Sequence, residues 1–249
     1  MIIKTASVFC LLVSVLISGC GTQSGMKAPD GKLQTGASWE VNRAVMVAAE
    51  NSGNNEIALK TGEEELKQRP DNVEAKIFVA RLLCRTGQPQ RSSSILETIK
   101  SDPDGRVLIE RARTLIALDL GSLARQLLDE PEEMDRIVGQ DNKFEARKLL
   151  AVAYDLEGEN HKAQALYSDL LSQKEDSAVR MNYGRSLIAT KSYAQAATIL
   201  MPLTDSQEFP QARILAAGAL KKSGDSTLAR NLLEGYISDS KIDELMKRK

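Results

Sequence analysis

In the stretch "LLAVAYDLEGENHKAQALYSDLL" (149–171) the apolar residues recur three and four apart, which is the spacing of a helix face and not of a strand. Leu150, Ala151 and Tyr154 share one face of a first helix, Gly158 ends it, and Ala163, Tyr167 and Leu170 share one face of a second. Ala151 and Ala163 let the two backbones approach closely, and the larger side chains fill the space on either side. The same order of large and small positions recurs along the chain. It returns at Tyr183, Gly184 and Leu187 with Ala196, Leu200 and Leu203, and again at Ala216, Ala217 and Leu220 with Ala229, Leu233 and Tyr236. Towards the amino terminus it is found at Arg111, Ala112 and Leu115 with Ala124 and Leu128. It recurs at Val79, Ala80 and Leu83 with Ser92, Leu96 and Ile99, and at Val45, Met46 and Ala49 with Ala58. The pattern predicts six helix–turn–helix units between Trp39 and about residue 245, spaced 34, 32, 39, 33 and 33 residues apart.

These residues and their period resemble the tetratricopeptide repeat (TPR), whose unit of 34 residues is a pair of antiparallel helices. The resemblance implies an all-α chain folded as a right-handed α-α superhelix, a solenoid of about six degenerate repeats. Several positions depart from the consensus. The tryptophan of the first helix is missing from every unit, and Gly62 stands where a large residue belongs. Pro202 falls inside a second helix, where it removes a hydrogen bond and clashes with the preceding turn, so that helix is expected to kink or end early. Gly218 weakens the first helix of the sixth unit. The long spacing after the third unit holds the acidic segment 129–141, with Pro131 and Gly139, which reads as an extended inter-repeat loop.

Ahead of the periodic region the pattern changes. Residues 8–17 are apolar apart from Cys10 and Ser14, behind a short start that carries Lys4. A membrane-spanning helix needs about 20 such residues, so a secretory signal is expected here and not a span. The run ends in Ile17, Ser18, Gly19 and Cys20. That ending resembles the bacterial lipobox, in which cleavage leaves the cysteine as the first residue and lipid is attached to it. By the same resemblance, Gly21 in place of aspartate favours the outer membrane. Residues 21–37 have four glycines, one proline and no apolar period, and read as a flexible tether spanning roughly 20–25 Å. The expected organisation is a lipoprotein signal at 1–19, a lipidated tether at 20–37 and the solenoid at 38–249, held on the periplasmic face of the outer membrane.

With Cys10 removed and Cys20 lipidated, Cys84 remains alone and no intramolecular disulfide can form. Stability then rests on the apolar core. The net charge of −1 supplies no overall field for nucleic acid, and 4% aromatic residues leave little for stacking on bases or sugars. His161, the one histidine, has no partner at metal-ligand or triad spacing. Arg81 and Arg85 stand near Cys84, yet the thiol lies within a periodic helix, where packing is the simpler role. No phosphate loop, H-E-x-x-H or C-x-x-C is present, so neither an enzyme nor a cofactor is expected.

Binding remains, and in stacked helix pairs the first helices line the concave side. Family offsets place Ile77 and Arg81, Ile109 and Arg113, Lys148 and Val152, and Met181 and Arg185 there. Three of these pairs set an apolar residue four positions before an arginine, so stacking would lay an apolar stripe beside an arginine stripe. A planar guanidinium suits carboxylates. One reading is a groove for a partner segment that is apolar on one side and acidic on the other. The other reading is that these arginines pair with glutamates and aspartates of adjacent repeats.

A lipobox, a short tether and six degenerate TPR units together resemble the outer-membrane lipoproteins of pilus and secretion systems, above all the TPR lipoprotein of the tight-adherence (Flp pilus) system. That resemblance implies a pilotin-like scaffold whose partner is a secretin or a pilus component. An adaptor for a peptidoglycan hydrolase or a barrel-assembly machine is the alternative.

Overall fold

The computed structural model describes residues 38–247, which belong to one compact unit beginning at Ser38. The expected signal (1–19), lipidation site (Cys20) and tether (20–37) lie outside the described residues. Among the described residues there are only helices and turns, and no helix is long and apolar enough to cross a membrane. Six helix pairs follow one another: α1 (Trp39–Asn51) with α2 (Asn55–Gln68), α3 (Val73–Arg85) with α4 (Pro89–Glu97), and α5 (Arg106–Ala117) with α6 (Gly121–Asp129). After a short α7 (Pro131–Arg136) come α8 (Gln140–Leu156) with α9 (Asn160–Gln173), α10 (Ser177–Ala189) with α11 (Tyr193–Leu200), and α12 (Gln211–Ser223) with α13 (Ser226–Leu233). A last helix, α14 (Asp239–Lys247), follows α13. The fold is the expected all-α TPR-type solenoid.

The turn inside each pair has a common backbone. Its left-handed residue is Gly53, Gly87, Asp119, Gly158, Lys191 and Gly224 in turn, with φ between 61° and 104°. Glycine adopts this region freely, whereas Asp119 and Lys191 hold it at a cost of about 1 kcal/mol. Side-chain caps fix several helix starts: Ser38, Asn54, Asn72, Asp176 and Asp225 each accept a hydrogen bond from the backbone N–H three residues on.

The core runs along the solenoid between the helix layers. Ala58, Ala80, Ala112, Ala124, Ala151, Ala163, Ala196 and Ala229 are fully buried, as are Tyr167 and Leu200. Glycine permits the closest approaches. A Cβ on Gly184 would lie 2.4 Å from Leu200 Cγ, and one on Gly62 would lie 2.5 Å from Val79 Cγ2. Gly62 is therefore a point of contact with α3 and not an eroded consensus position. Leu200 ends α11, and Pro202 sits in the 3-10 turn Met201–Leu203 that follows, as the loss of its N–H requires. Gly218 leaves α12 unbroken.

Three features differ from expectation. The acidic segment 129–141 is not simply a loop, because Pro131 starts α7. Ile137 then turns inward to 1% exposure, closing on Gly105, and the Val138 N–H donates to the Asp104 carbonyl at 3.0 Å. The segment thus carries its own anchor back to the start of α5. Val45, which the pattern puts on a packed face, is 43% exposed, because among the described residues no helix pair stacks on that side of α1. Tyr236 is also exposed; its hydroxyl donates to the Pro210 carbonyl, and the Arg213 guanidinium lies 4.8 Å from its ring centre.

The first unit is tied by a buried carboxylate. Glu65 is fully buried and accepts from Asn42 of α1 (2.7 Å), Arg69 (2.5 Å) and Asn72, the cap of α3 (2.9 Å). Burial alone would raise its pKa; the three donors outweigh burial and hold it below the ordinary value.

Candidate functional site: a charged concave groove

First helices of successive units line a cavity of about 650 Å³ that runs from α1 through α3, α5 and α8 to α10. Its floor is apolar: Val47, Ile77, Phe78, Ile109, Leu149 and Val152. Ile77 and Ile109 are 8% and 4% exposed, so they show only their edges, whereas Val47 at 38% offers real contact area. Around the floor stand six basic groups (Arg43, Arg81, Arg85, Arg106, Arg113, Lys148) and four carboxylates (Glu50, Glu74, Glu110, Glu145).

These charges form a ladder whose rungs are about one repeat apart in sequence. Arg81 and Arg85 both reach back to Glu50, at 3.3 and 2.6 Å. Arg106 makes a two-pronged bond to Glu74 at 2.6 and 2.8 Å and a third to Asp104 at 2.7 Å. Arg113 bridges Glu110 and Glu145, both at 2.8 Å, and Lys148 meets Glu145 at 2.5 Å. Burial raises the Glu145 pKa, but Arg113 and Lys148 overcome that and hold it below the ordinary carboxylate range. Burial disfavours charge on Arg113 as well, and its two carboxylates more than compensate, so its pKa is raised.

Six of the eight expected groove residues therefore line one cavity: Ile77, Arg81, Ile109, Arg113, Lys148 and Val152. Of the two readings of the arginines, inter-repeat pairing is present for Arg81 and Arg113. The cavity ends at Ala178 and Asn182 on α10, short of the other two residues. Met181 is 2% exposed and packs with Leu200 and Leu203 in the core, and Arg185 stands exposed outside the cavity. Arg43, Val47 and Glu50 of α1 belong to the groove although the two family offsets used above did not select them. The ladder left a trace in the sequence: Glu50, Glu74 and Glu145 each lie 31–32 residues from an arginine they meet.

Two groups in the groove keep unused hydrogen-bonding capacity. Arg43 makes no ion pair among the described residues. Arg81 holds its guanidinium 4.9 Å from the Phe78 ring centre, and its Nε is buried with no partner. Elsewhere, His161 is exposed in the first turn of α9, and Cys84 is half-buried with its sulfur 3.4 Å from the Thr114 hydroxyl. Among the described residues no group of histidine, cysteine or acidic side chains is arranged to hold a metal.

The architecture defines a class, the TPR-type solenoid with a concave face built from first helices. Within that class, the chain is similar to the crystal structure of a thermophilic TPR protein of Thermus thermophilus. The TM-score is 0.63 at 17% identity, over 74% of this chain and 99% of that one. A tetratricopeptide repeat protein of Parabacteroides merdae aligns at a TM-score of 0.39 and 14% identity, over 85% of this chain and 98% of that one. No family model and no curated protein matches the chain.

Proposed function

We propose that this chain is a non-catalytic scaffold that holds a segment of another protein in its concave groove. The observation that carries the reading is the continuous cavity across five first helices, with an apolar floor and six basic groups against four carboxylates. Its free donors lie on Arg43 and Arg81, so the segment they suit is apolar with a carboxylate near the α1–α3 end. Lipid on Cys20 moors the scaffold to the periplasmic face of the outer membrane. The partner is a secretin or a pilus component, so the protein serves pilus or secretion assembly in the manner of a pilotin. The lipobox resemblance at 17–20 supports the anchor, and the groove supports a protein partner.

The groove is tested with Val47→Asp combined with Val152→Asp, which put charge on the floor without touching the ladder. In cross-linked envelopes the parent yields adducts with a secretin or pilus subunit, and the double variant loses them while keeping its helical circular dichroism. Adducts that persist in the variant exclude the groove; adducts with a peptidoglycan hydrolase or barrel-assembly component instead replace the pilus assignment. Anchoring is tested separately by Cys20→Ser, which moves the protein to the soluble fraction. Retention in the membrane rules out the lipid.

A further inference from the structure

The charge ladder of the groove is not continued at every joint. In the first unit Glu50, near the end of α1, meets Arg81 of α3. Asp155 holds the same place in the fourth unit, and Arg185 of α10 is the repeat equivalent of Arg81. These two do not pair. Arg185 stands exposed and makes no ion pair among the described residues. The half-buried Asp155 carboxylate meets Ser186 instead, which is 3% exposed and donates to it at 2.6 Å.

Little else supports a charge at that point. On α9 the titratable group facing Asp155 is Tyr167, whose fully buried hydroxyl completes no hydrogen bond. The cations on the elements packed around this end of α8 are held by other groups. Arg125 of α6 is taken by Glu157 and Asp129. Lys162 of α9 is taken by Glu159 at 3.1 Å and lies 5.2 Å from the Tyr154 ring centre. Ser186 accepts from Gln164 of α9 at 3.3 Å, and Gln164 also donates to Thr190 at 3.0 Å, so the Ser186 hydroxyl stays aimed at Asp155. Glu65 has an arginine and two amides to hold its charge; Asp155 has one neutral hydroxyl.

A carboxylate so placed weakens its surroundings while it is ionised. Burial pushes the Asp155 carboxyl above its ordinary value of 3.8, and the pull of the Ser186 and Tyr167 hydroxyls does not offset it. Once protonated, the acid still accepts from Ser186 and has a proton of its own to donate to the Tyr167 oxygen, which then gains the partner it lacks.

We propose that Asp155 makes the joint between the fourth and fifth units responsive to pH: taking up a proton closes α10 onto α8 and α9, and releasing it loosens them. The folded chain holds this proton more tightly than the unfolded one. The stabilisation is therefore complete below the ordinary carboxylate value and is lost as pH rises through the higher, folded one. Glu65 and Glu145 behave in the opposite sense, since their contributions are lost as pH falls. The groove ends on α10 at Ala178 and Asn182, so the joint that yields lies behind its last wall.

The test compares the full chain with Asp155→Asn, which keeps an acceptor for Ser186 and never ionises. Glu65 and Glu145 titrate in both proteins, so the difference between them isolates Asp155. At neutral pH, Asp155→Asn melts at least about 2 °C above the parent, and the gap closes towards about pH 4. A variant that melts at or below the parent at neutral pH, or a gap that is the same in acid, overturns the proposal. Ser186→Ala strips the carboxylate of its donor and lowers the midpoint more at neutral pH than in acid; an equal loss in both counts against a charge held by Ser186. Hydrogen exchange at neutral pH locates the effect. Asp155→Asn slows exchange in the second half of α8 and in α10 and leaves α1 and α3 unchanged, whereas slowing spread evenly over the solenoid overturns a local joint.

Discussion

Gly184 and Gly218 both lie within first helices, and alanine should act on them in opposite directions. In a helix interior, glycine to alanine gains about 0.5–1 kcal/mol of conformational free energy. Gly218 is exposed in α12 and an added Cβ meets nothing within 4 Å, so Gly218→Ala keeps the whole gain. At Gly184 the added Cβ would lie 2.4 Å from both Cγ and Cδ2 of Leu200. Leu200 is fully buried and followed at once by the 3-10 turn of Pro202, so it cannot swing away. Overpacking of this kind costs about 1–3 kcal/mol, which exceeds the gain from helix propensity. A change of about 1 kcal/mol moves the midpoint of a chain this size by about 2–4 °C. In thermal unfolding followed by helical circular dichroism, Gly218→Ala should melt above the parent and Gly184→Ala below it, about 5 °C apart. If Gly184→Ala matches or exceeds the parent, α10 does not approach α11 as closely as described, and the packing argument fails.

Other parts of the solenoid give further expectations. Because the folded-state pKa of Glu65 is depressed from 4.5, its contribution is complete above that value and is lost as pH falls through the lower one. Glu65→Gln should therefore lower stability at neutral pH by about 2–3 kcal/mol and flatten the acid side of the stability–pH curve; an unchanged acid limb counts against the clasp. Lys191→Gly should raise the midpoint, because it relieves a residue held at φ 62°, whereas the same change at exposed Lys162, within α9, should lower it. In chemical denaturation, Arg113→Ala should cost about 2–3 kcal/mol, since it strands Glu110, whose side chain is only 6% exposed, and leaves the 24% exposed Glu145 with Lys148 alone. Arg91→Ala should change little, because its pair with Glu63 is largely exposed and worth at most about 1 kcal/mol. Equal losses for the two would mean the groove ladder is no better shielded than the surface.

The helix pairs are legible in the sequence because small residues recur where backbones must meet, and the left-handed turn residues keep the same spacings of 34, 32, 39, 33 and 33. Pro202 announces the end of α11 by its chemistry alone. Gly62 misleads, because the consensus says which residue is usual and not that Val79 fills the missing side chain's place. Helix α7 is hidden by its acidic residues and by its length of six, too short for periodicity to register. The groove is half visible. Offsets find Ile77, Arg81, Ile109 and Arg113, but whether an arginine is spent on a neighbouring glutamate depends on distances between units, which no single-unit pattern contains. Met181 fails for the same reason: beyond α8 the concave position passes to Asn182, and Met181 is drawn under by Leu200 and Leu203.

The Glu65 clasp also has a mechanical meaning. In an array where units touch only their neighbours, tension entering at Ser38 is not shared across the molecule but falls first on the attachment of α1 to α2. The Asn42–Glu65 bond is a strut within that attachment, and the same carboxylate steadies Asn72, which caps α3. A pull strong enough to peel α1 away would therefore loosen the start of α3, where Glu74 and Ile77 stand at the edge of the groove. Force on the amino-terminal end and grip in the concave face are coupled through one buried side chain.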